Sequence, residues 1–432
     1  MKEIGIGLLG WGTVGSGVVA GLQRHAELLA QRTGVRLVLR GVADLDWERD
    51  RGVALDRALL SRDAAEVVDR PDVDVVVECI GGTGVARTMI LKALAAGKPV
   101  VTANKALLAE HGPELYAAAA AVDRDLLFEA SVGGGIPVIR ALREGLCANR
   151  IEYIEGILNG TCNYILTRME EEGLPFDEVL REAQAAGFAE AEPGLDIDGL
   201  DTAHKTVVLA SQAFGCPVTM QDVAISGIRG IQPLDIHLAA ELGYRIKLLA
   251  LIQCCDGALE LSVCPTLVAR DRMLASVGGV FNAVVIKGDI VGETLYYGKG
   301  AGRDPTASAV LADIVDAARN LVAGGVARIP AFRAAGEAWP VRAASELHGR
   351  AYVRLSVSDA ASMTERLTAL CRARGVGVES LTQRAPQPDG SVPVVLLLES
   401  VQEQVAGELV AEIAAWAEVT APVVRYRVEP AG

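Results

Sequence analysis

Aromatic residues make up only 4% of this 432-residue chain, so its core has to be built from Val, Leu, Ile and Ala. No uncharged apolar run approaches the roughly 18 residues that a membrane span requires, which excludes a transmembrane helix. The eight cysteines show no C-x-x-C spacing, and Cys254 and Cys255 are adjacent. This pattern offers no zinc site and suits reduced thiols in the cytoplasm. Positive charge is also scarce. With 41 Lys and Arg against 55 Asp and Glu the net charge is −14, which argues against nucleic acid and anionic membranes as partners. The N-terminus, Met1 to Gly7, carries an early acid and runs into a glycine-rich turn, so it reads as a first strand and not as a signal peptide.

What is present is apolar and glycine-rich. The chain is 51% hydrophobic with 46 glycines, a globular composition, and its length implies about three domains. Ile4 to Leu9 is an apolar run followed by Gly10-Trp11-Gly12-Thr13-Val14-Gly15 and a helical pattern to about Ala30. G-x-G-x-x-G between a strand and a helix is a dinucleotide-binding context. Gly10 permits the tight turn, Gly12 lets pyrophosphate approach the backbone, and Gly15 lets the helix pack on the strand. The N–H groups of Thr13 and Val14 open the helix toward the anion. A second strand, Val35 to Ala43, ends in Asp44, an acid placed to hold ribose hydroxyls and so to favour NAD. Arg49 and Arg51 downstream leave NADP open.

Further strands at Val73–Cys79, Pro99–Thr102 and Leu126–Glu129 alternate with helices, the pattern of a doubly wound parallel sheet. Ligands sit at the C-terminal strand ends of such sheets, where Lys105 falls. Ala130 to Pro137 holds three glycines before a helix, either a ligand-facing loop or a hinge. A strand (Ile151 to Leu158), the turn and helix cap Asn159-Gly160-Thr161, and two helices follow.

The most telling stretch is Ala189 to Lys205, an acidic loop broken by Pro193, Gly194 and Gly199 that enters a helix at about Leu200. Asp201 and Lys205 are four apart on one face of that helix, with the acid nearer the N-terminus, the better orientation. Taken alone, the ordinary reading is a surface ion pair. Hydride transfer, however, needs a nicotinamide, a bound carbonyl or alcohol, and a proton shuttle, and a half-buried lysine aimed by a carboxylate is suited to the last role. Beyond it, apolar runs at 246–254, 259–264, 283–286 and 290–297 suggest an antiparallel sheet. Gly298 to Thr306 is a glycine-rich entry to another helix, with Gly302 placed for close approach to a ligand.

The motifs Gly10–Gly15, Thr102–Lys105, Asn159–Thr161 and Gly199–Lys205 occur in one order, and together they closely resemble homoserine dehydrogenase over nearly the whole chain. The resemblance implies NAD(P)-dependent, reversible reduction of L-aspartate 4-semialdehyde to L-homoserine, within threonine, methionine and isoleucine biosynthesis. On the family pattern Lys205 is the proton donor and acceptor and Asp201 the acid beside it. Glu190 holds the substrate ammonium, Asp196 is a further substrate-side acid, and Lys105 lies near nicotinamide and substrate. Residue by residue, the sodium loop of the family falls on Glu129, Val132, Gly134 and Ile136, binding mainly through backbone oxygens. The resemblance also implies a homodimer or homotetramer with dimer contacts in the middle domain.

From Ala351 the strand and helix order is β-α-β-β-α-β, a ferredoxin-like arrangement that at the end of a metabolic enzyme resembles an ACT domain. Such a domain implies an amino-acid effector. The loop Ser358 to Ser362 lacks the Pro-Gly common in that family, so a purely structural or dimerising module stands beside the regulatory one. The fold class expected is therefore α/β and α+β. It comprises a Rossmann-type domain (1–130, completed by the helix at about 305–321), a mixed α/β substrate and dimerisation domain (131–304), a connector (322–349) and an ACT-like domain (350–432). Two other functions fit parts of the sequence: a non-catalytic nucleotide-binding amino-acid sensor, and a semialdehyde dehydrogenase working through a cysteine thioester.

Overall fold

The computed structural model describes residues 1–327, 329, 339–361 and 363–429. Pro330 of the expected connector and Ser362 of the C-terminal loop lie outside them. Two sheets organise the described chain. The first is wholly parallel, with strands β1 (Lys2–Leu9), β2 (Val35–Ala43), β3 (Leu60–Ser61), β4 (Val75–Glu78), β5 (Val100–Thr102) and β6 (Leu126–Leu127) in the order β3-β2-β1-β4-β5-β6. This is the doubly wound nucleotide-binding order. Strand residues alternate between its two faces. Ile4, Ile6, Leu8, Val75, Val77, Val101 and Leu127 pack with helices Thr13–Arg24 and Arg303–Ala323, whereas Leu9, Val76, Val100 and Leu126 pack with Val85–Ala95 and Lys105–Ala121. The helix Arg303–Ala323 thus returns to complete this layer. It can approach because Gly17 faces it: a Cβ there would lie 2.8 Å from Ala307 Cβ.

Three local expectations need correction. The first helical pattern does not run unbroken to Ala30: it ends at Arg24 and restarts at Ala26, because His25 leaves helical geometry at φ −113°, ψ 17°. The strand expected through Glu129 stops at Leu127, since Glu129–Ser131 form a tight turn. The acidic loop contains a short helix, Gly194–Ile197, seated between Pro193 and Gly199.

The second sheet begins with β7 (Ile151–Ile157), β8 (Ala224–Ile225), β9 (Tyr244–Cys255), β10 (Ala258–Ala269), β11 (Phe281–Gly288) and β12 (Gly292–Lys299). Strands β12-β11-β7-β9-β10 are antiparallel neighbours. Strands β9 and β10 are longer than their apolar runs suggest, because Asp256 (φ 51°) and Gly257 (φ 75°) close a two-residue hairpin that keeps both in register for twelve pairs.

The C-terminal elements follow the expected order: β13 (His348–Val357), helix Met363–Ala373, β14 (Val378–Gln383), β15 (Val392–Gln402), helix Glu403–Ala414 and β16 (Val424–Val428). They are not a detached module. Strand β16 pairs with β10 at Thr266 and Leu267, so the second sheet runs on as β10-β16-β13-β15-β14. No helix among the described residues is long and apolar enough to cross a membrane.

Candidate functional site

The two sheets meet at a cleft of about 670 Å³ lined by Thr13, Val14, Lys105, Glu190, Asp196, Asp201, Lys205 and Gly302. Residues spread over the whole sequence therefore converge on one space. Strand β7 delivers the turn at Leu158 and Asn159, helix Leu200–Phe214 delivers Asp201 and Lys205, and Lys105 starts the helix after β5. The apolar face of Leu200–Phe214, including Val207, Val208 and Leu209, is buried and fixes the opposite, polar edge toward the cleft.

Lys205 is only 8% exposed. Its ammonium donates to the Leu158 carbonyl at 2.6 Å and to Asp201 Oδ2 at 2.7 Å, so one of its three N–H groups remains for a ligand. Asp201 is shared. Lys105 Nζ lies 3.2 Å from its other oxygen, and Asn159 Nδ2 donates to Oδ2 at 2.9 Å. Burial alone would push the Asp201 carboxyl up. The charges of Lys205 and Lys105, with the hydrogen bonds from Lys205 and Asn159, overturn that and hold it well below the usual carboxylate range. The pair is thus a largely enclosed ion pair at the cleft wall and not a surface one.

Asn159 is more than the turn and cap legible in the sequence. Its Oδ1 does cap the next helix, accepting from Cys162 N at 2.8 Å, while its Nδ2 donates to Asp196 Oδ1 at 2.7 Å as well as to Asp201. It ties the two acids together. Asp196 is half-buried, whereas Glu190 is exposed at the rim. The Leu158 carbonyl was not foreseen either, since a backbone acceptor leaves no mark in residue identity.

The glycine turn has the geometry its motif implies. Gly10 sits at φ 93°, a Cβ at Gly15 would run into the Gly10 carbonyl, and a Cβ at Gly12 would meet nothing within 4 Å. Helix Thr13–Arg24 has no side-chain cap, which leaves its N-terminus to an anion. Asp44 is already engaged: it accepts from Trp11 N at 2.6 Å and from Arg51 Nη2 at 3.3 Å, and Arg51 stacks over the Trp11 ring at 4.6 Å. Gly302, at φ 112°, precedes the returning helix.

The loop holding Glu129, Val132, Gly134 and Ile136 is buried. The Glu129 carboxylate accepts from Ile139 N (3.0 Å) and Arg140 N (2.8 Å), its own N–H donates to Asp313, and burial raises both carboxyls, Asp313 to about 8. No cluster of three or more His, Cys, Asp or Glu suited to a metal exists among the described residues. Any cation here would meet backbone oxygens on a rigid loop, a donor set that fits a hard monovalent ion. Neither Cys79 nor Cys162 is an activated thiol for a thioester mechanism: burial pushes both up, with Glu78 beside the first and Asp196 beside the second adding to it.

Comparison with known proteins agrees with this geometry. The homoserine dehydrogenase family model matches residues 137–315, and the model of the homoserine dehydrogenase NAD binding domain matches 10–129. A homoserine dehydrogenase of Neisseria gonorrhoeae is 44% identical over 432 residues, covering 99% of each chain. One from Pseudomonas aeruginosa is 42% identical over 435 residues, with the same coverage. The crystal structure of a homoserine dehydrogenase from Thiobacillus denitrificans is similar with a TM-score of 0.94 and 42% identity over 99% of both chains. A hyperthermophilic archaeal homoserine dehydrogenase in complex with NADPH is similar over 73% of this chain and 98% of its own, with a TM-score of 0.63 and 28% identity.

Proposed function

The chain belongs to the homoserine dehydrogenase family, an NAD(P)-dependent oxidoreductase family acting on a CH–OH group, and on that footing we propose how its residues divide the work. The reaction interconverts L-homoserine and L-aspartate 4-semialdehyde, and the bound nicotinamide supplies or accepts the hydride. Lys205 handles the proton. In reduction its free N–H donates to the substrate carbonyl oxygen; in oxidation the amine takes the proton from the hydroxyl. Asp201 aims Lys205 and holds Lys105 beside it, and Asn159 fixes Asp201 relative to Asp196. Asp196 and Glu190 receive the substrate ammonium. The observation that carries this reading is Lys205 buried at the cleft and held by Asp201 at 2.7 Å and the Leu158 carbonyl at 2.6 Å.

Gly10, Gly12, Gly15 and the N–H groups of Thr13 and Val14 hold the pyrophosphate, with Gly302 and Lys105 near the nicotinamide. Asp44 serves the adenosine ribose, and Arg51 beside it supplies a cation for a 2′-phosphate, so both NAD and NADP are accommodated. Glu129, Val132, Gly134 and Ile136 would hold a sodium ion mainly through backbone oxygens. Residues 1–130 with the returning helix form the nucleotide domain and 131–304 the substrate domain, followed by the connector (322–349). The exposed face of β12, where Tyr297 stacks on Phe281 at 5.1 Å, pairs protomers. Residues 350–432 form an ACT-like domain answering to an amino acid, in a cytoplasmic enzyme.

The test is absorbance at the nicotinamide band with L-homoserine, run separately with NAD⁺ and NADP⁺. Reduction of either cofactor is expected; no reduction of both would overturn the reading.

A further inference from the structure

Asn282, on β11, belongs to the wall of the catalytic cleft and is 1% exposed. Its Oδ1 is buried with no hydrogen-bond partner among the described residues. A sealed acceptor left unpaired is unfavourable, and an apolar side chain of similar size would avoid that cost. Folding alone therefore does not select an amide at this position. The strand that carries it lies between two others that lead into the cleft. Strand β11 pairs with β7, which runs into the turn at Leu158 and Asn159, and with β12, which runs into Gly300.

The amide fills the place that a side chain of Gly300 would take. A Cβ built on Gly300 would run into both Nδ2 and Cγ of Asn282. Gly300 has no positive φ, so the amide and not the backbone keeps that position free of a side chain. Asn282 also reaches the substrate side: its Oδ1 lies 3.7 Å from where a Cβ of Gly160 would be, in the turn next to Asn159. Beyond Gly300 the close packing continues into the buried loop. A Cβ at Gly134 would lie 2.5 Å from the Gly300 carbonyl, and Gly135 N donates to the Lys299 carbonyl at 3.1 Å. One flat side chain thus stands between the turn Asn159–Thr161 and the segment Gly300–Gly302.

We propose that Asn282 is a positioning residue for hydride transfer: its amide sets the separation between the substrate-side turn and the cofactor-side segment Gly300–Gly302. It acts through Gly160 and Gly300 and touches neither reacting molecule. The proposal rests on the dehydrogenase reading, which puts the substrate beside Lys205 and Asn159 and the nicotinamide beside Gly302. Transfer between two bound molecules depends steeply on their spacing, and a misplacement of about 1 Å costs about a hundredfold. Flatness matters as much as volume. A leucine has nearly the size of an asparagine, but its tetrahedral Cγ cannot lie against Gly300 as closely as a planar amide does. Replacement by leucine therefore removes the unpaired acceptor and still pushes the two walls apart.

The experiment compares full-length Asn282→Ala and Asn282→Leu with the wild type in three measurements. These are single-turnover reduction of the cofactor by L-homoserine carrying hydrogen or deuterium on its carbinol carbon, titration of the reduced cofactor by nicotinamide fluorescence, and urea unfolding. Hydride transfer should slow about a hundredfold in both variants, with the deuterium isotope effect fully expressed on kcat. The reduced-cofactor Kd should stay within about threefold of the wild type, which separates misplacement from lost binding. Asn282→Leu should unfold at no lower urea concentration than the wild type. Gly300→Ala, which drives a Cβ into the amide, should slow transfer as Asn282→Ala does. Combining Gly300→Ala with Asn282→Ala makes room for that Cβ and should run about tenfold faster than Gly300→Ala alone, the mark of two residues in contact. Transfer rates near wild type in both Asn282 variants, losses matched by an equal rise in Kd, or a double variant slowed by the product of its two single effects each overturns the proposal. Any of these with a wild type that oxidises homoserine removes the role of Asn282 and leaves the dehydrogenase reading standing. A wild type that oxidises no homoserine overturns both.

Discussion

Asp201, largely buried, and Asp235, fully buried, both sit in the first turn of a helix and each faces a cation, yet their surroundings differ. Asp201 meets two lysines and an asparagine at the wall of a cleft. Asp235, 0% exposed, meets the Arg354 guanidinium through Nε (2.5 Å) and Nη2 (3.1 Å), with the hydroxyls of Tyr352 and Tyr426 closing over it at 3.4 and 3.5 Å. An arginine does not give up its proton in a protein, whereas a lysine can. The arginine pair joins β13 of the C-terminal residues to helix Pro233–Glu241 of the catalytic body; the lysine pair leaves one N–H for a ligand. The cation chosen, and whether the site has an open side, separate a weld from a reacting group.

The largest effect that would break this comparison is on turnover. Lys205→Ala should lower kcat by about a thousandfold, in the range of general acid–base loss, while cofactor affinity changes little. Initial rates and cofactor titration by nicotinamide fluorescence would show it. A variant with near wild-type kcat would return Asp201 and Lys205 to the status of an ordinary ion pair. Arg354→Ala should act on stability instead. It leaves the Asp235 carboxyl group sealed without its charged partner, a change that costs roughly 3–5 kcal/mol in buried pairs. Denaturant unfolding measures the loss, and replacing both partners by apolar residues (Arg354→Met with Asp235→Leu) should recover most of it. If the double variant is as unstable as the single one, the pair is not a simple weld.

These two sites also mark what the sequence could disclose. Asp201 and Lys205 lie four residues apart, so helical periodicity puts them together before any fold is known. Asp235 and Arg354 are 119 residues apart, and only the continuation of one sheet through β10 and β16 brings them into contact. The strand and helix order of the C-terminal residues was legible because their apolar runs follow the spacing of their elements, whereas β3, β8 and helix Pro233–Glu241 are too short or too weakly patterned to be read. The pairing of β16 with β10 was not, because it rests on two residue pairs and no local pattern. Asn159 lies between these cases. Its cap was readable from Asn-Gly-Thr, but its two carboxylate contacts depend on where the Asp196 loop returns. Asn159→Ser keeps a capping hydroxyl and removes both donors. It should therefore lower kcat/KM for homoserine about tenfold while unfolding stability moves by less than about 1 kcal/mol. Equal losses in activity and stability would make Asn159 only a cap.

The smallest expected effect concerns Lys247, a buried cation with no carboxylate partner among the described residues. It is 3% exposed, and among the described residues its ammonium donates to the Val277 carbonyl (2.7 Å) and Asn163 Oδ1 (3.2 Å). Burial therefore brings its pKa down to about 8. In the unfolded chain the same lysine titrates near 10.4. Between these values the unfolded state binds more protons than the folded one, so this group makes stability rise with pH from about 8 to about 10. Below pH 8 the folded protein carries the full cost of an unpaired buried charge. Lys247→Met removes the titration and should flatten that slope in urea unfolding measured at half-unit pH steps. A variant whose slope matches the wild type would show that Lys247 stays charged throughout. In that case two neutral oxygens satisfy a buried ammonium as well as Asp201 does, and the carboxylate beside Lys205 would be there to aim the proton and not to retain it.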